Sequence, residues 1–150
     1  MMRQNAIEIN GISKNYGTLK ALDGITFNVG RGEVFGLIGP DGAGKSTLFR
    51  ILVTLIDSDN GSAKVDGMDI LSDYHSIRNK IGYMPGKFSL YPDLTVEENI
   101  NFFAALFHVT LQQNYDLIAP IYKQIEPFKT RRAGKLSGGM KQKLALCCSL

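Results

Sequence analysis

Apolar and polar residues alternate in two early stretches, Ile7-Glu8-Ile9-Asn10 and Ile25-Thr26-Phe27-Asn28-Val29. Period-two alternation buries one face of a strand and wets the other, so both predict half-exposed antiparallel strands. Gly11, Gly17, Gly24, Gly30 and Gly32 punctuate this region as turns. Val34 to Ile38 is different. It is an unbroken apolar run opened by Gly32-Glu33, as expected of a strand buried on both faces of a parallel sheet. Further on, Leu48, Ile51, Leu52, Leu55 and Ile56 recur at helical spacing and mark one apolar face. The turn formers Asp57-Ser58-Asp59-Asn60-Gly61 should stop that helix. Ala63-Lys64-Val65-Asp66 before Gly67, and Ile81-Gly82-Tyr83-Met84-Pro85, read as further strands, with a short helix over residues 72–80 between them.

Beyond Pro92 the texture becomes helical. Thr95-Val96-Glu97-Glu98 has the capping-box arrangement, a Thr N-cap with Glu three residues later. Val96, Ile100, Phe103 and Phe107 then form an apolar stripe. A second helix is expected over residues 111–126, broken or kinked near Pro120. The basic loop Arg131-Arg132-Ala133-Gly134-Lys135 leads to Leu136-Ser137-Gly138-Gly139-Met140. From Met140 a last helix should carry Leu144, Cys147 and Cys148 on one side. The chain stops at Leu150 inside it, the ending expected of a truncated domain.

Composition narrows the classes. The chain of 150 residues is one domain or part of one, and its net charge of +3 is mild. No run of five Lys/Arg occurs, so no nucleic-acid partner is expected. No secretory signal precedes Ile7, and no stretch approaches the roughly 18 apolar residues that span a bilayer. If the protein serves a membrane process, another chain crosses the membrane. Cys147 and Cys148 are the only cysteines. Neighbours on a helix point about 100° apart, so a disulfide between them would be strained. Both read as small, reduced helix residues of a cytosolic protein. His75 and His108 read as surface residues.

The chemistry lies in Gly39-Pro40-Asp41-Gly42-Ala43-Gly44-Lys45-Ser46-Thr47, which follows the apolar run and opens the first helix. Gly39, Gly44, Lys45 and Ser46 fit the phosphate-binding pattern G-x-x-x-x-G-K-[ST]. Gly39, Gly42 and Gly44 let the backbone wrap a polyphosphate with its N–H groups inward. Lys45 sets a compact positive charge against the β- and γ-phosphates, and the Ser46 hydroxyl suits a Mg²⁺ ligand. Strand, loop and helix fall in the order such a site needs, with the helix N-terminus adding its dipole.

Paired with that loop, Leu136-Ser137-Gly138-Gly139-Met140 resembles the signature motif of ABC-type ATPases. Tyr16-Gly17 resembles the family's aromatic loop, which stacks on adenine. Ile81 to Pro85, then Leu90 to Asn99, resembles the passage into the helical subdomain, in wording closest to ABC-2-type, multidrug-exporter-like subunits. The resemblance covers essentially the whole chain. It implies an α/β fold: a P-loop NTPase core with an antiparallel β subdomain and an inserted helical subdomain, truncated after the signature motif. Residues 1–150 would be one incomplete ATP-binding domain, with the helical subdomain at about 87–135. ATP and Mg²⁺ are the implied ligands. The loop Gly39–Thr47 and Tyr16 would serve one nucleotide, with Ser46 on the metal. Ser137, Gly138 and Gly139 would reach the nucleotide of a second ABC ATPase domain in a head-to-tail dimer. The implied partner is a polytopic membrane permease subunit, which would hold the protein on the cytoplasmic face of the membrane.

Three features depart from the family pattern. Asp41 stands where many members carry Asn. Gly86 stands where Gln usually contacts Mg²⁺ and the attacking water. The family's strand ending in Asp and Glu, and its switch His, would all follow residue 150, so no carboxylate in this chain takes the catalytic-base role. Two classes therefore compete: part of an ATPase subunit powering an exporter, or a nucleotide-binding or inert fragment without turnover. A soluble ABC ATPase of translation or DNA repair would bring tandem domains, long coiled coils or basic extensions.

Overall fold

In the computed structural model, which describes residues 4–86 and 90–150, the chain divides into two units, residues 1–81 and 82–150. In the first, β1 (Asn5–Tyr16) and β2 (Leu19–Gly30) form a long antiparallel hairpin. β3 (Asn60–Val65) pairs with the other edge of β1, and β4 (Met68–Asp69) follows, giving the order β2-β1-β3-β4. Both hairpin strands outrun the alternating stretches because Gly11 and Gly24 are bulges inside them, not turns. Each has φ above +60° or at it (+64° and +60°) and lies beside a register shift. Hydroxyls satisfy the donors so displaced: Gly11 donates its N–H to Thr26 Oγ1 and Gly24 to Ser13 Oγ, both at 2.8 Å. Asn60-Gly61, expected as a turn, starts β3.

α1 (Lys45–Leu52) lays Leu48, Ile51 and Leu52 on a core built with Ile9, Ile12, Leu22, Ala63, Ile70 and Ile77. It stops earlier than its turn formers suggest, and Leu55 is exposed. The stop is tertiary. Thr54 turns left-handed at φ 60°, and Arg78, at the end of α2 (Tyr74–Arg78), donates Nε to Thr54 Oγ1 at 2.8 Å and Nη2 to the Thr54 carbonyl.

The expected strand at Val34–Ile38 does not form. Val34 and Ile38 are 104% and 96% exposed, while Phe35 stacks on Phe27 at 5.1 Å and Leu37 leans on the core. A central strand exists only through ladders to its neighbours, and no described strand pairs with this run. Ile81 to Pro85 likewise has no ladder and is not a strand.

In the second unit α3 (Val96–Leu106) begins with the complete capping box. Thr95 Oγ1 accepts from Glu98 N, while Glu98 Oε2 accepts from Thr95 N at 2.7 Å. Val96 and Ile100 are buried, but the apolar stripe fails at its end, where Phe107 is exposed. α4 is confined to Tyr115–Tyr122, with Pro120 inside it, and a 3₁₀ turn follows at Glu126–Phe128. α5 (Gly138–Cys147) starts two residues before Met140, because Ser137 caps it, and closes before the last residues of the chain. The basic loop is fastened to the start of α3: Val96 N donates to Arg131 O and Ala133 N to Leu94 O. Val96, Ile100, Ile118, Tyr122, Ile125, Ala133, Leu136, Leu144 and Cys147 make this unit's core.

Candidate nucleotide-binding site

The loop before α1 closes on itself. Ala43 N donates to Pro40 O at 3.2 Å, and Leu48 N donates to Gly44 O at 2.9 Å. Gly42 and Gly44 are left-handed, with φ 81° and 82°. Gly44 is the N-cap of α1, and neither a side-chain cap nor an acidic residue occupies the first helical turn. That end of the helix therefore presents backbone N–H groups and its positive dipole end. Lys45 Nζ donates to the carbonyls of Gly39 and Pro40, each at 2.6 Å, so the ammonium is held over the loop. Ser46 is exposed in the first turn of α1, and Thr47 is half-buried beside it; Asp41 is exposed on the loop.

β2 backs this loop. A Cβ on Gly44 would lie 2.2 Å from the Ala21 carbonyl oxygen and 2.8 Å from Leu22 Cδ2, so only glycine lets α1 start this close to the strand. Ala21 is two residues, or about 7 Å along a strand, from Leu19, the β-partner of Tyr16. The sheet thus brings Tyr16 and the loop Gly39–Thr47 into one unit. Tyr16 is 47% exposed at the hairpin end, beside left-handed Gly17. The sequence motifs name Tyr16 and the loop Gly39–Thr47 as candidates, and the structure places them in this one unit. The motifs miss Ala21, a residue that acts through its backbone and leaves no motif, and the sequence reads Asp59 as a turn former only.

Ser137, Gly138 and Gly139 lie in the second unit, at the N-terminus of α5. All three are exposed, and positions for a Cβ on Gly138 and Gly139 meet open space. Ser137 Oγ accepts from Met140 N at 3.4 Å, and its own O–H remains a donor on an exposed residue. Gly86 is not left-handed and a Cβ there would meet nothing within 4 Å, so no described contact demands glycine. Lys87, which could substitute for a missing glutamine, lies outside the described residues. Burial pushes the Cys147 thiol up to about 11 and that of Cys148 up to about 12, so both stay protonated at neutral pH and serve packing. His75 and His108 are exposed. Among the described residues no helix is long and apolar enough to cross a membrane.

The family model described as "ABC transporter" matches residues 22–150. The chain is 44% identical to the probable multidrug ABC transporter ATP-binding protein YbhF of Escherichia coli K12, over 99% of this chain and 26% of that protein. Its fold is similar to a solved ATP-binding subunit of an ABC transporter, with a TM-score of 0.81 at 28% identity over 96% of this chain and 61% of the other. A dimeric ATP-binding cassette solved in a post-hydrolysis state with ADP and Pi gives a TM-score of 0.80 at 25% identity, over 96% of this chain and 68% of that one. The chain thus spans about a quarter of the curated relative's length and three-fifths of the first cassette's. Motif order, loop geometry, sequence and fold agree, and the chain belongs to the ABC transporter family as part of an ABC-type ATP-binding domain.

Proposed function

We propose that this chain binds Mg-ATP on the loop Gly39–Thr47, as the nucleotide-binding part of a subunit that hydrolyses ATP to power export. One observation carries the reading: Lys45 Nζ is anchored at 2.6 Å to two carbonyls of the loop that leads into the uncapped N-terminus of α1. A lysine fixed there by its own backbone adds a full charge to the N–H groups and dipole at one point, which suits a polyphosphate. Gly42 and Gly44 bring the backbone close, Ser46 supplies a hydroxyl to the metal, and Tyr16 offers its exposed ring to the base. Bound Mg²⁺ supplies Lewis-acid neutralisation of the phosphate oxygens. Pro40, Asp41, Ala43 and Thr47 complete the loop that surrounds the phosphates.

Residues 1–150 form one incomplete ATP-binding domain, whose helical subdomain runs from about 87 to 135. Ser137, Gly138 and Gly139 serve the nucleotide of a second ATPase domain, arranged head to tail. The exposed Ser137 hydroxyl and the open surface at both glycines support this role, as does the dimeric state of the cassette solved with ADP and Pi. The same dimer drives a polytopic permease from the cytoplasmic side of the membrane, and the multidrug designation of the 44%-identical relative supports export. In this reading residues 1–150 alone bind nucleotide without turnover.

Lys45→Ala in the full-length protein tests the site. A hydrogen bond to a charged group is worth roughly 1.5–3 kcal/mol, or about one to two decades in affinity. Mg-ATP should raise the melting temperature of the wild type and raise that of the mutant much less. Equal shifts in the two proteins would place ATP elsewhere.

A further inference from the structure

β1 outruns β3. Pairing between them ends at Ser13↔Asn60, whereas pairing of β1 with β2 continues through Asn15↔Lys20 to Tyr16↔Leu19. The last three residues of β1 therefore have a strand on one side only. A two-stranded end of this kind is marginal in water and frays.

Asp59, the residue just before β3, fills the open side. Its own N–H donates to Ser13 O at 2.9 Å. Its carboxylate then takes the next donors in turn. Oδ2 accepts from Asn15 N at 2.7 Å and Asn15 Nδ2 at 3.2 Å, and Oδ1 accepts from Lys14 Nζ at 2.7 Å. For the Asn15 N–H the carboxylate does what a third strand does for the residues before it, and the Lys14 ammonium pins the carboxylate in place. These bonds, led by that from Lys14, hold the Asp59 carboxyl below the usual carboxylate range. Tyr16 comes next, at the turn. Among the described residues no ring stacks on it, and its side chain is half exposed. With no described ring against it, the backbone leading into Tyr16 is a main determinant of where its ring stands.

We propose that Asp59 is a positioning residue for nucleotide recognition: by clamping Lys14 and Asn15 it holds the Tyr16 ring where the adenine stacks, and so governs affinity for the base and not for the phosphates. The inference rests on the reading of Gly39–Thr47 and Tyr16 as the ATP site. Stacking of a base on an aromatic ring carries at least about a fivefold change in affinity, and loss of the clamp forfeits most of it.

The experiment compares dissociation constants of the full-length protein for Mg-ATP and for Mg-tripolyphosphate, a probe with the phosphates and no base. Asp59→Ala should weaken ATP at least about fivefold and leave tripolyphosphate unchanged. Asp59→Asn, whose amide oxygen still accepts from Asn15 N, should recover most of the loss. Tyr16→Ala should match Asp59→Ala, and the double variant should be no worse than Tyr16→Ala alone. If Asp59→Ala does not fold, Lys14→Met removes one arm of the clamp and should give a smaller loss, again for ATP only. Unchanged ATP binding in folded Asp59→Ala, equal loss of both ligands, or additive losses in the double variant would each overturn the positioning role. Failure of the underlying site looks different: Lys45→Ala would then spare both ligands, or Tyr16→Ala would spare ATP, whatever Asp59 does.

Discussion

Gly44→Ala and Gly42→Ala form a matched pair that measures how closely the loop is seated on β2. Both glycines are left-handed, at φ 82° and 81°. An alanine in that region costs about 1–2 kcal/mol from backbone sterics alone. Their surroundings differ. A Cβ on Gly42 meets nothing within 4 Å, whereas one on Gly44 falls 2.2 Å from the Ala21 carbonyl oxygen, well inside contact distance. The obstacle is backbone, so it cannot rotate away; either β2 or the start of α1 must move. Overpacking of this kind adds about 1–3 kcal/mol. Gly42→Ala should therefore destabilise by about 1–2 kcal/mol and Gly44→Ala by about 2–5 kcal/mol. Urea unfolding of the two variants in the full-length protein reads the difference. Mg-ATP affinity should fall further for Gly44→Ala, because the displaced helix start carries the N–H groups of the proposed phosphate site. Equal destabilisation by the two alanines would refute the close seating on Ala21.

Asn99 is fully buried and holds the Tyr91 N–H and the Tyr91, Leu94 and Thr95 carbonyls; Asn99→Leu should cost about 1–3 kcal/mol for each group left unpaired, and a loss below about 1 kcal/mol by denaturant titration would count against this role. Thr95→Ala should lower the stability of the second unit by about 1 kcal/mol, read as a shift in melting temperature, with no shift if α3 needs no cap. Glu98 is held below the usual carboxylate range by the Thr95 N–H and then by its hydroxyl. Its contribution is complete above the ordinary carboxylate pKa and is lost as pH falls through the lowered value, so Glu98→Gln should flatten the acid side of the stability profile, and an unchanged slope would refute it. Residues 1–150 expressed alone should associate through the exposed Val34–Ile38 run, and a monodisperse, cooperatively melting product in light scattering and calorimetry would overturn that.

Features written in local chemistry were legible in the sequence. The capping box at Thr95 needs four consecutive residues, and the phosphate loop needs a single short segment; both stand where their residue types put them. What failed depended on distant partners. α1 reads as longer than it is because its apolar spacing continues to Ile56, and only Arg78, from another helix, cuts it at Thr54. Gly11 and Gly24 read as turns because glycine marks both turns and bulges; hydroxyls across the hairpin decide for bulges. Phe107 fits the stripe of α3, yet the helix ends beneath it.

The sharpest misfit is Val34–Ile38, and it bears on how the site is built. The run has the composition of a central strand but no described neighbour to pair with, and strand structure resides in the ladder rather than in the segment. Yet the loop that follows it keeps its left-handed glycines, its Lys45 bonds and its helix start. Support therefore comes from the other side. Leu48, Ile51 and Leu52 anchor α1 in the sheet core, and Ala21 backs Gly44. The loop geometry thus depends on β2 and the burial of α1, and the preceding run adds no described ladder to it. It follows that substitutions at Val34 or Ile38 should act on association and solubility, whereas those at Leu22 or Ile51 should disturb the loop Gly39–Thr47 and, with it, the proposed nucleotide site.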